Sequence, residues 1–353
     1  MSGNIKKLAN IINDYEKFPS HVYLNDGSVD FDALCHHIDR WLSQFDDNDR
    51  TFVLQHTVNL MSKNYYGKQR YIESINAISS NKRNQKIFKN GYLLEIQENG
   101  DSQSNINSLL KDSLYNKYNI NIPTYTTNSN LNQNSDLIYL DDFSFSGNRI
   151  QQDIKKLLDD EQEKLKERRI FISIFLVHSY SQHILPNELN KLTDKKNIQP
   201  LFHFSNTKNH PFGWASINNS FKYYTELSEI YFPEKNIITE IPTQFRDVKL
   251  YIPEYFRSGN QKNCLLGNDI DRRRIEKIFT EKGFYILSHS NDPSPVIKPL
   301  GYSGFNGFGF GGNVFSYRNC PNNTPLIFWW GNYEENDNTA LGCWYPLMAR
   351  TTY

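Results

Sequence analysis

Cysteine is scarce. The 353 residues hold four, Cys35, Cys264, Cys320 and Cys343, spread far apart and with no C-x-x-C pair. That spacing excludes a disulfide framework and a Cys-based zinc site, and it suits reduced, mostly buried thiols. Long apolar runs are missing too. The longest, Phe171 to Val177, is far shorter than the roughly 20 residues a spanning helix needs. Met1 to Phe18 is polar and amphipathic and lacks the apolar stretch of a signal peptide. A soluble, cytoplasmic protein with no membrane partner is therefore expected. Net charge is absent as well, because 39 Lys and Arg balance 39 Asp and Glu. This neutrality excludes broad electrostatic coating of nucleic acid, although a local basic groove stays compatible with it. There is no internal repeat. Gly307 to Gly312 does not sit between a strand and a helix, so it is no dinucleotide fingerprint.

What is present points to a folded α/β chain. Aromatics reach 14%, and the length allows about two domains. Phe31, Leu34, Ile38, Trp41, Leu42 and Phe45 recur at helical spacing. The acids from Asp46 to Asp49 are placed to cap a next helix with Phe52, Val53, Leu60 and Met61, and Ile72, Ile75 and Ile78 predict a third. From Gly91 the period changes. Apolar runs at 91–96, 137–140 and 171–177 alternate with helical patterns at 106–114 and 149–168, which predicts a parallel sheet with crossover helices. The Asn-, Thr- and Ser-rich stretch from Tyr118 to Asp136 reads as a loop. Residues 223–256 are a mixed segment broken by prolines, 269–282 a charged helix, and 326–330 a buried strand. The chain thus divides into a helical N-terminal region over 1–88, an α/β core over 89–200, and a C-terminal α+β extension over 201–353. That extension is expected to pack on the core like a hood.

The most informative stretch is Leu137-Ile-Tyr-Leu-Asp-Asp-Phe-Ser-Phe-Ser-Gly-Asn-Arg-Ile150. An apolar strand ends in two carboxylates, Asp141 and Asp142, and a Ser/Gly turn leads directly into a helix. Ligands of open parallel sheets bind at the carboxyl ends of strands. Amides of a turn at a helix start can cradle a phosphate, and Gly147 permits close backbone approach. Two adjacent carboxylates suit ribose hydroxyls, or a magnesium ion carried by a ligand's own phosphates. An ordinary αβ turn with an acidic cap is the bland alternative.

This run resembles the phosphoribosyl-pyrophosphate (PRPP) motif of type I phosphoribosyltransferases. The resemblance implies that Asp141 and Asp142 bind the ribose and act in catalysis, and that Ser144, Phe145, Ser146, Gly147 and Asn148 form the 5-phosphate loop. Phe145 stands where a small residue is common, and Arg149 where Thr is common. A pyrophosphate loop is also implied, and Gly100, Asp101, Ser102 and Ser104 lie in its place, although Gly-Asp-Ser is equally a plain turn. The Tyr118–Asp136 stretch falls where such enzymes carry a covering loop, and it is equally a tolerated insertion. Magnesium is the implied cofactor, held through ligand phosphates without a dedicated protein site. The ends of the chain sharpen the likeness. Trp41 to Phe45, Phe52 to Tyr66, Gly301 to Gly304, Asn319 to Pro325, Phe328 to Gly331 and Trp344 to Arg350 resemble a phosphoribosyltransferase-like branch of bacterial conflict systems, including some retron-type anti-phage loci. The implied fold is a type I phosphoribosyltransferase-like parallel sheet flanked by helices. The implied function is a PRPP- or nucleotide-binding defence effector, with a catalytically inactive sensor as the alternative. A protein or nucleoprotein from the same defence locus is the implied partner.

Other residues read more simply. His36 and His37 lack metal-pair spacing and suit a surface or partly buried role. His178 follows the third apolar run and is a strand-end histidine that can face the crevice of Asp141. Arg272 to Arg274 read as a solvated helix face. Trp329, Trp330 and Trp344 read as core.

Overall fold

The structure, a computed structural model, describes residues 2–97, 102–132, 135–194, 198–204, 215–217, 220–222, 268–290, 293–303, 308–335 and 339–350. The mixed 223–256 segment, Cys264, Gly304 and Gly307 lie outside them. The chain forms two compact units, one of residues 69–214 and one of 1–68 with 215–353.

The 69–214 unit holds a four-stranded parallel sheet in the order β2 (Gly91–Leu93), β3 (Asp136–Ser144), β4 (Arg169–Val177), β5 (Gln199–Phe204). Helices α6 (Ser102–Tyr118), α7 (Asn148–Leu165) and α8 (Ser179–Thr193) connect successive strands. This is the parallel α/β sheet expected from the alternating pattern. Strands β3 and β4 are apolar on both faces because both faces are covered. On one face, Tyr139, Ile172 and Ile174 pack with Ile150, Ile154 and Leu157 of α7 and Leu185 of α8. On the other face, helices α4 (Lys68–Ser80) and α5 (Lys82–Lys89) bring Tyr71 edge-on to Phe175 and Phe88 edge-on to Phe171. Arg169 grips Asp136 with two hydrogen bonds of 2.6 and 2.8 Å, pinning the first pair of the β3–β4 register. Strand β2 is shorter than its apolar run. Its edge is extended by Thr124, which pairs with Leu93, and Tyr125 is buried. The first part of the 118–136 stretch is therefore an edge segment of this sheet.

The other unit contains α1 (Gly3–Ile12), α2 (Phe31–Leu42), α3 (Asp47–Asn64), β1 (Tyr65–Tyr66), a β6–β7 hairpin (Ala215–Ile217 and Ser220–Lys222), α9 (Asp269–Ser288), β8 (Phe315–Ser316) and α10 (Leu326–Trp329). Strand β1 pairs in parallel with β8. Asp30 caps α2 by accepting from the amides of Asp32 and Ala33. Trp41 and Trp344 both donate their indole N–H to the carbonyl of Ile327, at 2.8 and 2.9 Å. The C-terminal segment is thus bound into the first helices, and α4 and α5 go with the sheet. These divisions differ from boundaries at 88 and 200, because side-chain bonds across some 300 positions leave no local period.

Three expectations need correction. The 326–330 run is the helix α10 and not a strand. Four apolar residues fit either state, and here the Trp330 amide bonds back to the Leu326 carbonyl. Arg272 departs from a solvated face, whereas Arg274 is exposed as expected. Arg272 is buried beside Glu276, and Arg274 lies over the Phe52 ring while bonding Asp49 at 2.7 Å. Asp46 stands at the N-cap of α3 without a side-chain capping bond; it meets Lys282 instead.

Candidate active site

Strand β3 carries the acid pair to the carboxyl edge of the sheet. Asp141 and Asp142 are its sixth and seventh residues, and Ser144 its last. Adjacent strand residues leave opposite faces of a sheet, so the two carboxylates diverge. Asp141 shares the face of Tyr139. Its Oδ1 accepts from the Asp142 amide at 2.9 Å, and its Oδ2 lies 3.5 Å from the Tyr139 hydroxyl. Asp142 turns to the α4 side, where the buried Tyr71 hydroxyl donates to its Oδ2 at 2.6 Å and the Phe143 amide to its Oδ1 at 2.8 Å.

Phe145, Ser146 and Gly147 then make the turn into α7. Gly147 is the N-cap residue at φ +77°, a region that costs an L-residue steric strain. A Cβ there would also come within 3.1 Å of Ser181 Oγ and 3.2 Å of Leu185 Cδ1. The first amides of a helix have no intrahelical acceptor, and with the helix dipole they favour an anion. Asn148 and Arg149 are exposed at this start, Ser146 is half-buried and Gly147 is buried. Phe145 is buried and helps to seat the turn. The Ser144 hydroxyl faces inward, 2.7 Å from that of Ser181, and the Ser144 carbonyl accepts from the His178 amide at 2.7 Å. The Ser146 hydroxyl accepts from the Asn148 amide at 3.3 Å.

Beneath the pair lies a polar network that motif reading alone missed. The Tyr139 hydroxyl donates to Asp153 Oδ2 at 2.7 Å. Gln97 Nε2 donates to the Tyr139 oxygen at 3.0 Å and to Asp153 at 3.3 Å. Arg149 pairs with the other Asp153 oxygen at 3.3 Å. Burial, with Asp141 and Asp153 adding to it, holds the Tyr139 phenol well above its ordinary range, so it stays a neutral donor. A tyrosine two residues before an acid pair, followed twelve residues on by an acid at i+4 from an arginine, was the available signal. On the β2 side, Gln103 Oε1 accepts from the amides of Ile96 and Gln97, ordering the chain ahead of the candidate pyrophosphate loop. Gly100 and Asp101 lie outside the described residues. Ser102 opens α6, and Ser104 is exposed between the buried Gln103 and Ile106.

Among the described residues, no group of three or more His, Cys, Asp or Glu side chains is arranged to hold a metal. The Asp141–Asp142 pair offers hard oxygen donors to a magnesium ion that arrives with phosphates, the mode in which magnesium is usually bound. Among the same residues, no helix is long and apolar enough to cross a membrane. Comparison with known proteins completes the picture. No curated protein and no solved structure matches the chain. The family model PRTase-CE matches residues 38–350, so it includes the end of α2, the acid pair, the turn and the C-terminal segment. The chain belongs to this phosphoribosyltransferase-like family.

Proposed function

We propose that the protein is a phosphoribosyltransferase-like enzyme that takes PRPP, or a related ribose-phosphate ligand, with magnesium at the carboxyl edge of β3. The observation that carries this reading is the acid pair running through a left-handed Gly147 into the start of α7, where no side chain caps the first amides from the N-cap position. The turn receives the 5-phosphate on backbone amides. Asp141 and Asp142 accept from the ribose hydroxyls and oppose the positive charge that develops at the anomeric carbon, so catalysis is chiefly orientation and electrostatic stabilisation. When bound, magnesium would sit beside these carboxylates and neutralise charge on the pyrophosphate. Calorimetry with PRPP and magnesium tests the site. The Asp141→Asn, Asp142→Asn chain removes two charge-assisted contacts and is expected to bind about 10- to 100-fold more weakly. Unchanged affinity would place the ligand elsewhere.

A second reading, a nucleotide sensor without turnover, draws support from Ser144, whose hydroxyl is spent on Ser181, and from Phe145, which seals the turn. Pyrophosphate release separates the two, since the enzyme produces it and the sensor does not. A role as an effector in bacterial anti-phage defence, acting with a protein or nucleoprotein partner, is supported by the likeness of the chain ends. Loss of phage protection in the same double variant is the corresponding cellular test.

A further inference from the structure

Ser181 lies fully buried in the first turn of α8, and Ser144 is buried at the end of β3. A hydroxyl at that depth costs stability unless it is bonded. The two oxygens are 2.7 Å apart, and among the described residues neither side chain has another hydrogen-bond partner. Around them Val177, which pairs with Ser144 in the β3–β4 register, and Leu185, one turn along α8, are apolar. Alanine would satisfy that packing at either position, so the hydroxyls are there for each other. The backbone of Ser144 is held from the same side, because its carbonyl accepts from the His178 amide at 2.7 Å. Ser181 also reaches the far end of the turn. A Cβ on Gly147 would come within 3.1 Å of its Oγ. One buried hydroxyl thus bonds the residue where the chain leaves β3 and lies against the residue where it enters α7.

We propose that Ser181 is a positioning residue for the turn between β3 and α7. Acting through Ser144, it holds the turn amides in the one arrangement that grips a phosphate. This rests on the reading of that turn as the 5-phosphate site. Groups that are already ordered bind an anion without first giving up conformational freedom. Without the Ser181 hydroxyl, Ser144 keeps its bond from the His178 amide, but its side chain is left buried and without its partner. The chain then enters the turn along more than one path, and the amides meet the phosphate less often in register. The bonds that Asp142 accepts from Tyr71 and the Phe143 amide involve none of these atoms.

The test uses the full chain and ribose 5-phosphate as the probe, with dissociation constants measured by calorimetry. Ser181→Ala is expected to bind about fivefold more weakly, the worth of one hydrogen bond. Ser144→Ala breaks the same bond from the strand side and covers the case in which Ser181→Ala does not fold. Because the two residues act as one unit, the double variant loses no more affinity than the weaker of the single ones. Leu189→Ala, two turns further along α8, loosens the core without touching the pair, and its affinity stays within about twofold of wild type. Losses that add in the double variant overturn the proposal, since Ser181 then acts without Ser144. An equal loss in Leu189→Ala overturns it too, as the mark of a general packing defect. Affinity that falls in Gly147→Ala but is wild-type in Ser181→Ala removes the positioning role and leaves the phosphate on the turn. A wild-type chain that does not bind the probe, or whose binding survives Gly147→Ala unchanged, sinks the 5-phosphate reading and this proposal together.

Discussion

At His37, both ring nitrogens are committed to the C-terminal segment. Nε2 donates to the Leu347 carbonyl at 2.8 Å, which leaves Nδ1 to accept from the Tyr345 hydroxyl at 2.6 Å. Burial pushes the imidazole down to about 4, against the opposing pull of the Leu347 bond. The unfolded chain takes up this proton near pH 6.5. The folded chain resists it until about pH 4. The neutral ring thus contributes its full stability above pH 6.5, and that stability is lost as the pH falls toward 4, by about 3 kcal/mol in all. Urea titrations between pH 7 and 4.5 are expected to show this slope in the wild-type chain and a shallower one in His37→Gln. Parallel slopes would remove His37 from the account. No local signal announces so deep a role, because two adjacent histidines on a helix look alike until the helix has a partner.

The β3–turn–α7 element was legible almost in full. Its apolar strand, paired acids, glycine and amphipathic helix each follow from short-range rules, and the structure moves their limits by only a few residues. Gly147 shows why such a motif can be read: the left-handed turn and the crowding by Ser181 and Leu185 both demand that residue. Gly147→Ala is expected to cost about 1 to 2 kcal/mol in chemical denaturation and to weaken ligand binding by tilting the first amides of α7. A variant as stable as the wild type would mean that the turn accommodates a side chain. What could not be read is the support of the site. Tyr71 comes from α4, Gln97 from beyond β2 and Ser181 from α8, and nothing in their local sequence ties them to Asp141, Asp142 or Ser144. Leu326 to Trp330 failed for a related reason, since a short apolar run says that it is buried but not in which conformation.

For the whole molecule, the decisive feature is the strap from Trp344 to Leu347. Gln44 exchanges bonds with Tyr345 in both directions, at 2.6 and 2.8 Å, next to the His37 and Trp41 contacts. A chain ending after Gly342 loses the Gln44 and His37 bonds and keeps the Trp41 bond to Ile327. Hydrogen exchange is then expected to speed up across residues 31–42, although the cut lies about 300 positions away. Unaltered protection there would show that α2 holds without the strap.

The same strap sets a schedule for biosynthesis. The sheet unit is one continuous stretch of 146 residues, Gln69 to Trp214, and it can close as soon as it leaves the ribosome. Helix α2 cannot reach its final partners until residue 347 has been made. At roughly 5 to 20 residues per second, that interval is on the order of 15 to 60 s. Throughout it, the faces of Trp41 and His37 that later meet Ile327, Tyr345 and Leu347 await segments not yet translated. The chain thus completes its first helices last, and its nascent form has an adhesive apolar surface for chaperones to shield while synthesis proceeds.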